Sequence, residues 1–74
     1  MYYWYGWRVR VFDKENDIEI TKKLLSSPHS TYDEAKNDRE ELKVAEDIEI
    51  TDIFEADSRG LAEEKMEQEE FRKF

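Results

Sequence analysis

Apolar and polar positions alternate along the chain from Trp7: Trp7, Val9 and Val11 fall on one side, with Arg8 and Arg10 between them. A period of two in β-branched and aromatic residues predicts a strand. DKEND follows as turn chemistry, because Asn16 and Asp17 tolerate left-handed or Asx-turn backbone. Ile18 and Ile20 resume the alternation, so residues 2–25 read as a β-hairpin. SSPHS is a loop, since Pro28 biases Ser27 away from helix. Thr31 and Glu34 then have the spacing of a capping box, which predicts a helix from Tyr32 to about Ala45. Its apolar stripe is thin (Tyr32, Ala35, Leu42, Ala45), with the stem of Arg39 bridging the gap. DIEITDIFEAD is a third strand whose apolar spacing slips from even to odd between Ile50 and Ile53, as at a bulge or a change of face. After Gly60, Leu61, Ala62 and Met66 predict a second, weakly amphipathic helix with an uncapped, fraying end over residues 60–74.

The order β-β-α-β-α predicts an α+β fold. A right-handed crossover places the first strand at the centre of a three-stranded antiparallel sheet, with one well-specified helix and a weaker C-terminal one. A central strand needs large apolar groups on both faces, and the opening MYYWYGW supplies them: Tyr3, Tyr5 and Trp7 for one, Tyr2, Trp4 and Phe12 for the other. One helix covers one face. The second is closed by the C-terminal helix, or it stays open as an aromatic interface of Tyr2, Trp4 and Phe12 for a protein partner or a second copy in a homodimer.

Length and composition narrow this further. Seventy-four residues make a single small domain with a small core. There is no cysteine, so neither disulfides nor thiolate metal sites contribute. No apolar run approaches the roughly 18 residues of a membrane span, and Met1 is followed by polar aromatics instead of a basic and then an aliphatic stretch, so the expected location is cytoplasmic.

Catalytic signatures are weak. His29 is the single histidine, in a loop, with no nucleophile at informative spacing, and is expected to be solvated. Carboxylate pairs are too abundant to be diagnostic, and a chain this short has little room for a cleft between them. ENDIEITD lacks the ligand order and mid-loop glycine of a calcium loop, and Gly6 and Gly60 are isolated, so no phosphate loop forms. The expectation is a non-enzymatic protein without cofactor or metal. Trp4, Trp7, Arg8 and Arg10 offer a nucleic-acid platform in composition only, because a net charge of −8 opposes binding to a polyanion. Arg8 and Arg10 are better assigned to carboxylates of a neighbouring strand, Glu49 or Glu55.

The charge is unevenly placed. Residues 33–57 hold eleven acids against three bases, while the segments on either side are nearly balanced. On the helix, Glu34, Asp38 and Glu41 form one line; on the third strand, provided no bulge intervenes, Asp47, Glu49, Glu55 and Asp57 share the parity opposite Ile48 and Ile50, with Asp52 between. A solubilising face accounts for such a run, and so does a patterned polyanion. In size, lack of cysteine, α+β outline and clustered acid, the chain resembles the small acidic proteins with which bacteriophages disable host machinery, some of them DNA mimics. The resemblance is one of character and includes no motif. It implies an inhibitor acting in the host cytoplasm on a basic DNA- or RNA-binding protein (a nucleoid protein, polymerase or nuclease), with Glu34, Asp38, Glu41, Asp47, Glu49, Asp52, Glu55 and Asp57 standing in for phosphates.

Overall fold

The computed structural model describes residues 1–42 and 48–73. In chain order the elements are β1 (Tyr2–Trp4), β2 (Gly6–Asp13), β3 (Ile18–Leu25), α1 (Tyr32–Glu41), β4 (Ile48–Ile50), β5 (Phe54–Ala56), α2 (Arg59–Gln68) and β6 (Arg72–Lys73). The fold is α+β with antiparallel pairing, but the single three-stranded sheet expected from the sequence is replaced by six strands in two sheets, ordered β3-β2-β4-β6 and β1-β5. Within the larger sheet β2 is flanked by β3 and β4.

The division has a local cause. Trp4 lies opposite Phe54 and Trp7 opposite Ile50, so Tyr5 and Gly6 on one strand face Thr51, Asp52 and Ile53 on the other. That extra residue interrupts the ladder as a bulge does, at the point where the apolar spacing slips. Hydroxyl groups take over the interrupted bonds. The Gly6 amide donates to Thr51 Oγ1 (2.9 Å) and the Tyr5 amide to Ser26 Oγ (3.0 Å). Thr51 and Ser26 return backbone bonds to Gly6 O and Tyr5 O, each at 2.9 Å. Both hydroxyl residues are buried, and their polar atoms are satisfied there.

The aromatic run packs two ways across this break. Trp4 belongs to the core with Phe54, Ala56, Ala62 and Met66, and its indole N–H donates to Ala56 O at 3.0 Å. The C-terminal helix therefore closes this side, bringing Ala62 and Met66 from consecutive turns of α2. Gly6 is needed beside it, because a Cβ there would stand 2.5 Å from Met66 Sδ. On the other side Tyr3 meets Tyr32 edge-on at 6.1 Å, and Tyr5 packs against Trp7 at 5.7 Å while bonding Asp38 of α1.

Thr31 caps α1, its hydroxyl accepting from the Glu34 amide (3.2 Å); the Glu34 carboxylate accepts in turn from the Ser30 amide (3.3 Å), one residue before the cap. The described helix ends at Glu41, and the expected extension through Ala45 lies outside the described residues. Ser58 caps α2 through the Leu61 amide. Past α2 the chain does not continue as a helix; Arg72 and Lys73 pair with Ile50 and Glu49 as an edge strand.

Candidate interaction surface

The hairpin β2–β3 is where structure and solvent meet most unequally. Its register pairs Trp7 with Leu24, Val9 with Lys22, Val11 with Ile20 and Asp13 with Ile18, and directly opposed residues share a face. β4 adds Ile50 beside Trp7 and Ile48 beside Val9. This face is therefore apolar apart from Lys22 and Asp13 among those positions. The other face carries Arg8, Arg10, Glu19, Thr21 and Lys23, with Phe12 at its tip and Leu25 at its base.

Cover reaches only the base of the hairpin on either face. On the charged face Arg8 makes a bidentate pair with Glu49 (3.1 and 2.8 Å), the cross-strand partner expected for it, and Lys23 bonds Glu67 of α2 at 3.1 Å. The Phe71 ring lies under both cations, 5.3 Å from the Arg8 guanidinium carbon and 5.5 Å from the Lys23 ammonium. The Arg8 hydrogen bond holds the Glu49 carboxyl below the usual carboxylate range. On the apolar face cover reaches Ile50, which is buried, and part of Trp7. Beyond it Val11, Ile18, Ile20 and Leu24 are 40, 50, 37 and 41 % exposed. β4 pairs with β2 only over Trp7–Val9, whereas the hairpin continues to Asp13 as a two-stranded arm. Its turn is locally fixed: Asp13 accepts from the Glu15 amide (3.0 Å) and Asn16 Nδ2 (2.9 Å), and Asp17 takes φ 53°.

Most of the acids proposed as phosphate mimics are engaged within the chain. Asp38 accepts from the Tyr5 hydroxyl at 2.6 Å and lies 3.1 Å from His29 Nε2. Glu49 is held by Arg8, and Asp52 by Arg72 at 3.1 Å with Arg39 at 3.9 Å. Asp57 faces the Met1 amino group at 3.7 Å, and Glu34 turns to the start of its own helix. Glu55 lies opposite Tyr3 and, chiefly by hydrogen bonding, raises the pKa of that phenol. Glu41 adds a smaller upward push on the Tyr5 phenol, which burial and then the Asp38 bond raise most. Asp47 lies outside the described residues. Of the aromatic interface, Trp4 is 2 % exposed and belongs to the core, whereas Tyr2 and Phe12 are 44 and 57 % exposed. The three do not form one patch: Tyr2 meets Trp4 edge-on at 6.5 Å, but Phe12 stands at the far end of the arm.

His29 departs from expectation. Its side chain is only 12 % exposed, stacked on Tyr5 at 6.0 Å, with Nδ1 3.2 Å from Tyr3 O and Nε2 3.1 Å from Asp38. The loop backbone adds two more bonds to Tyr3, at 2.9 and 3.0 Å. Tyr5, His29 and Asp38 thus fasten the loop and α1 to the strand break, and this use of all three polar groups is structural.

Among the described residues no group of three or more His, Asp or Glu is arranged to hold a metal ion, and no helix is long and apolar enough to cross a membrane. Compared with protein-family models, curated proteins and solved structures, the chain has no match. The surface therefore stands on its own chemistry: a small α+β protein whose acids are largely paired within the chain and whose hairpin exposes Val11, Ile18, Ile20 and Leu24.

Proposed function

We propose that this is a non-enzymatic binding protein that docks on a basic protein, with Val9, Val11, Ile18, Ile20 and Leu24 of the hairpin making the close contact and the acidic body steering the approach. The observation that carries the proposal is the exposure of four large aliphatic side chains on one face of a single hairpin. Patches on the order of a few hundred Å² commonly mark interaction sites. The net charge of −8 favours a basic partner and suppresses acidic ones.

A second reading keeps inhibition by nucleic-acid mimicry, on the strength of the acid excess in residues 33–57. The two differ in which step of binding they govern. Affinity capture at low and high salt, followed by association kinetics with the captured partner, separates them. On the apolar reading, Val11→Lys with Ile20→Lys raises the dissociation rate and abolishes retention, while salt mainly slows association. On the mimicry reading, salt and reversal of Glu34 and Glu41 to lysine remove binding, and the hairpin variants bind as the parent does. That last result would end the apolar proposal.

A further inference from the structure

The outer edge of β3 is an eight-residue strand with no strand beside it among the described residues. Which of its backbone groups are free follows from the strand break. Gly6 turns its N–H and C=O towards Thr51, on the β4 side, and Tyr5 turns its C=O towards Ser26, on the β3 side. By the two-residue period, Trp7, Val9, Val11 and Asp13 then exchange bonds with Leu24, Lys22, Ile20 and Ile18. Glu19, Thr21 and Lys23 are left with N–H and C=O directed outward. Such an edge is a template for another strand unless charge, proline or a bulge blunts it. β3 contains neither proline nor an interruption of its pairing with β2. Lys23 is drawn to Glu67 and Phe71 on the charged face, not standing across the edge.

We infer that the edge is occupied by β3 of a second copy of this chain, antiparallel, with Thr21 on the two-fold axis. This inference does not rest on the binding role proposed above. In that register Glu19 lies opposite Lys23 of the second copy and Lys23 opposite its Glu19, so two opposite-charge pairs form by symmetry. Ile18 and Leu24 likewise pair twice, on the same side of the sheet as Val11 and Ile20. The Lys23 ammonium has three donors and can serve Glu67 and the incoming Glu19 together. Neighbouring registers are worse. Moving the axis to Lys22 sets Lys22 against itself, and moving it to Ile20 shortens the overlap and removes the Glu19–Lys23 pairs. Beside Lys23–Leu25, β3 and α2 line an open groove of about 750 Å³. The product is one continuous eight-stranded sheet that joins two apolar hairpin faces into a wider one.

The experiment is a charge exchange read by sedimentation equilibrium. The unaltered chain is expected to dimerise. Glu19→Lys and Lys23→Glu each place like charges opposite one another twice in their own homodimers, and each is expected to weaken dimerisation about tenfold or more. An equimolar mixture restores both opposite-charge pairs in the heterodimer and should return to the affinity of the parent. Circular dichroism checks that each variant is folded. Independently, Thr21→Cys should cross-link on oxidation, because facing residues of a hydrogen-bonded pair lie about 5.5 Å apart, within disulfide reach. A chain that stays monomeric into the millimolar range overturns the inference. So does a dimer that Glu19→Lys leaves intact, a mixture that fails to recover, or a dimer in which Thr21→Cys does not cross-link.

Discussion

The two ends of β2 make opposite use of the same kind of residue. Around Tyr5 and Gly6 the strand is enclosed: Trp4 and Tyr5 are 2 and 3 % exposed, helices approach from both sides, and interrupted ladder bonds are replaced by the Thr51 and Ser26 hydroxyls. Towards the tip of the arm apolar side chains such as Val11 and Ile20 face water, and among the described residues the hairpin ladder and an Asx turn hold the backbone. The first region spends its apolar surface on the domain's own stability. The second leaves it exposed. A chain of this size has little surplus core to leave exposed, which is why the unequal distribution bears on function.

The comparison breaks most sharply at Trp4. Trp4→Ala removes the largest side chain of the core and leaves the Ala56 carbonyl without its indole donor. The expected cost is about 3–5 kcal/mol, comparable with the roughly 3–5 kcal/mol that a core of this size supplies. Urea titration followed by near-ultraviolet circular dichroism should show the variant largely unfolded in buffer. A variant with the parent's midpoint would mean that the enclosed region is not the source of stability.

Thr51 tests the strand break itself. Thr51→Val keeps the shape but leaves the buried Gly6 amide without an acceptor, at an expected cost of about 1–3 kcal/mol. Thr51→Ser keeps the hydroxyl and should retain most of the stability by the same urea titration. A loss in Thr51→Ser with none in Thr51→Val would point to packing of the methyl group instead of the bond.

A pH titration probes the arm's charged face, where it joins the body. Glu49 has its pKa lowered by the Arg8 bond, so the folded state binds its proton less readily than the unfolded chain. The stability this contributes is complete above the unfolded carboxyl's ordinary pKa and is lost as pH falls through the lower, folded one. Asp13, lowered chiefly by the Asn16 bond, acts in the same direction at the turn. Glu49→Gln should flatten this part of the acid-side decline in thermal midpoint; an unchanged slope would show that the pair contributes nothing to stability.

What the sequence made legible divides along the same line. Features written within a few residues of each other were readable: the alternation of β2 and β3, the turn at Asn16 and Asp17, the Thr31 cap, and the slip between Ile50 and Ile53 that marks the bulge. Features that need partners far along the chain were not. His29 looks like a solvated loop residue until Tyr5 and Asp38 converge on it, and Asp38 looks like a free charge for the same reason. The two-residue strand Arg72–Lys73 carries no periodicity to read and exists only through its pairing with β4. Alternation grouped Val11 with Trp7 and Val9, and Ile20 with Ile18, but that Val11 and Ile20 share a face follows from the register, and whether anything covers it depends on the packed elements. Only β4, three residues long against two strands of eight, is too short to reach the tip.

The smallest expected effect bears most directly on that face. Val11→Thr and Ile20→Thr keep β-branching, and with it strand preference, while reducing apolar surface on the open side of the arm. If water already covers these positions, each substitution should change the urea midpoint by no more than about 0.5 kcal/mol equivalent, as surface changes usually do. A loss of more than about 1 kcal/mol, the range of core substitutions, would mean that the face is buried in solution. Repeating the titration at two protein concentrations then identifies the cover. Burial by another copy makes the midpoint rise with concentration, whereas burial by the chain itself does not. A negligible loss at both concentrations leaves the aliphatic side chains of the arm idle in the protein's own stability, which is the condition for a surface held in reserve for a partner.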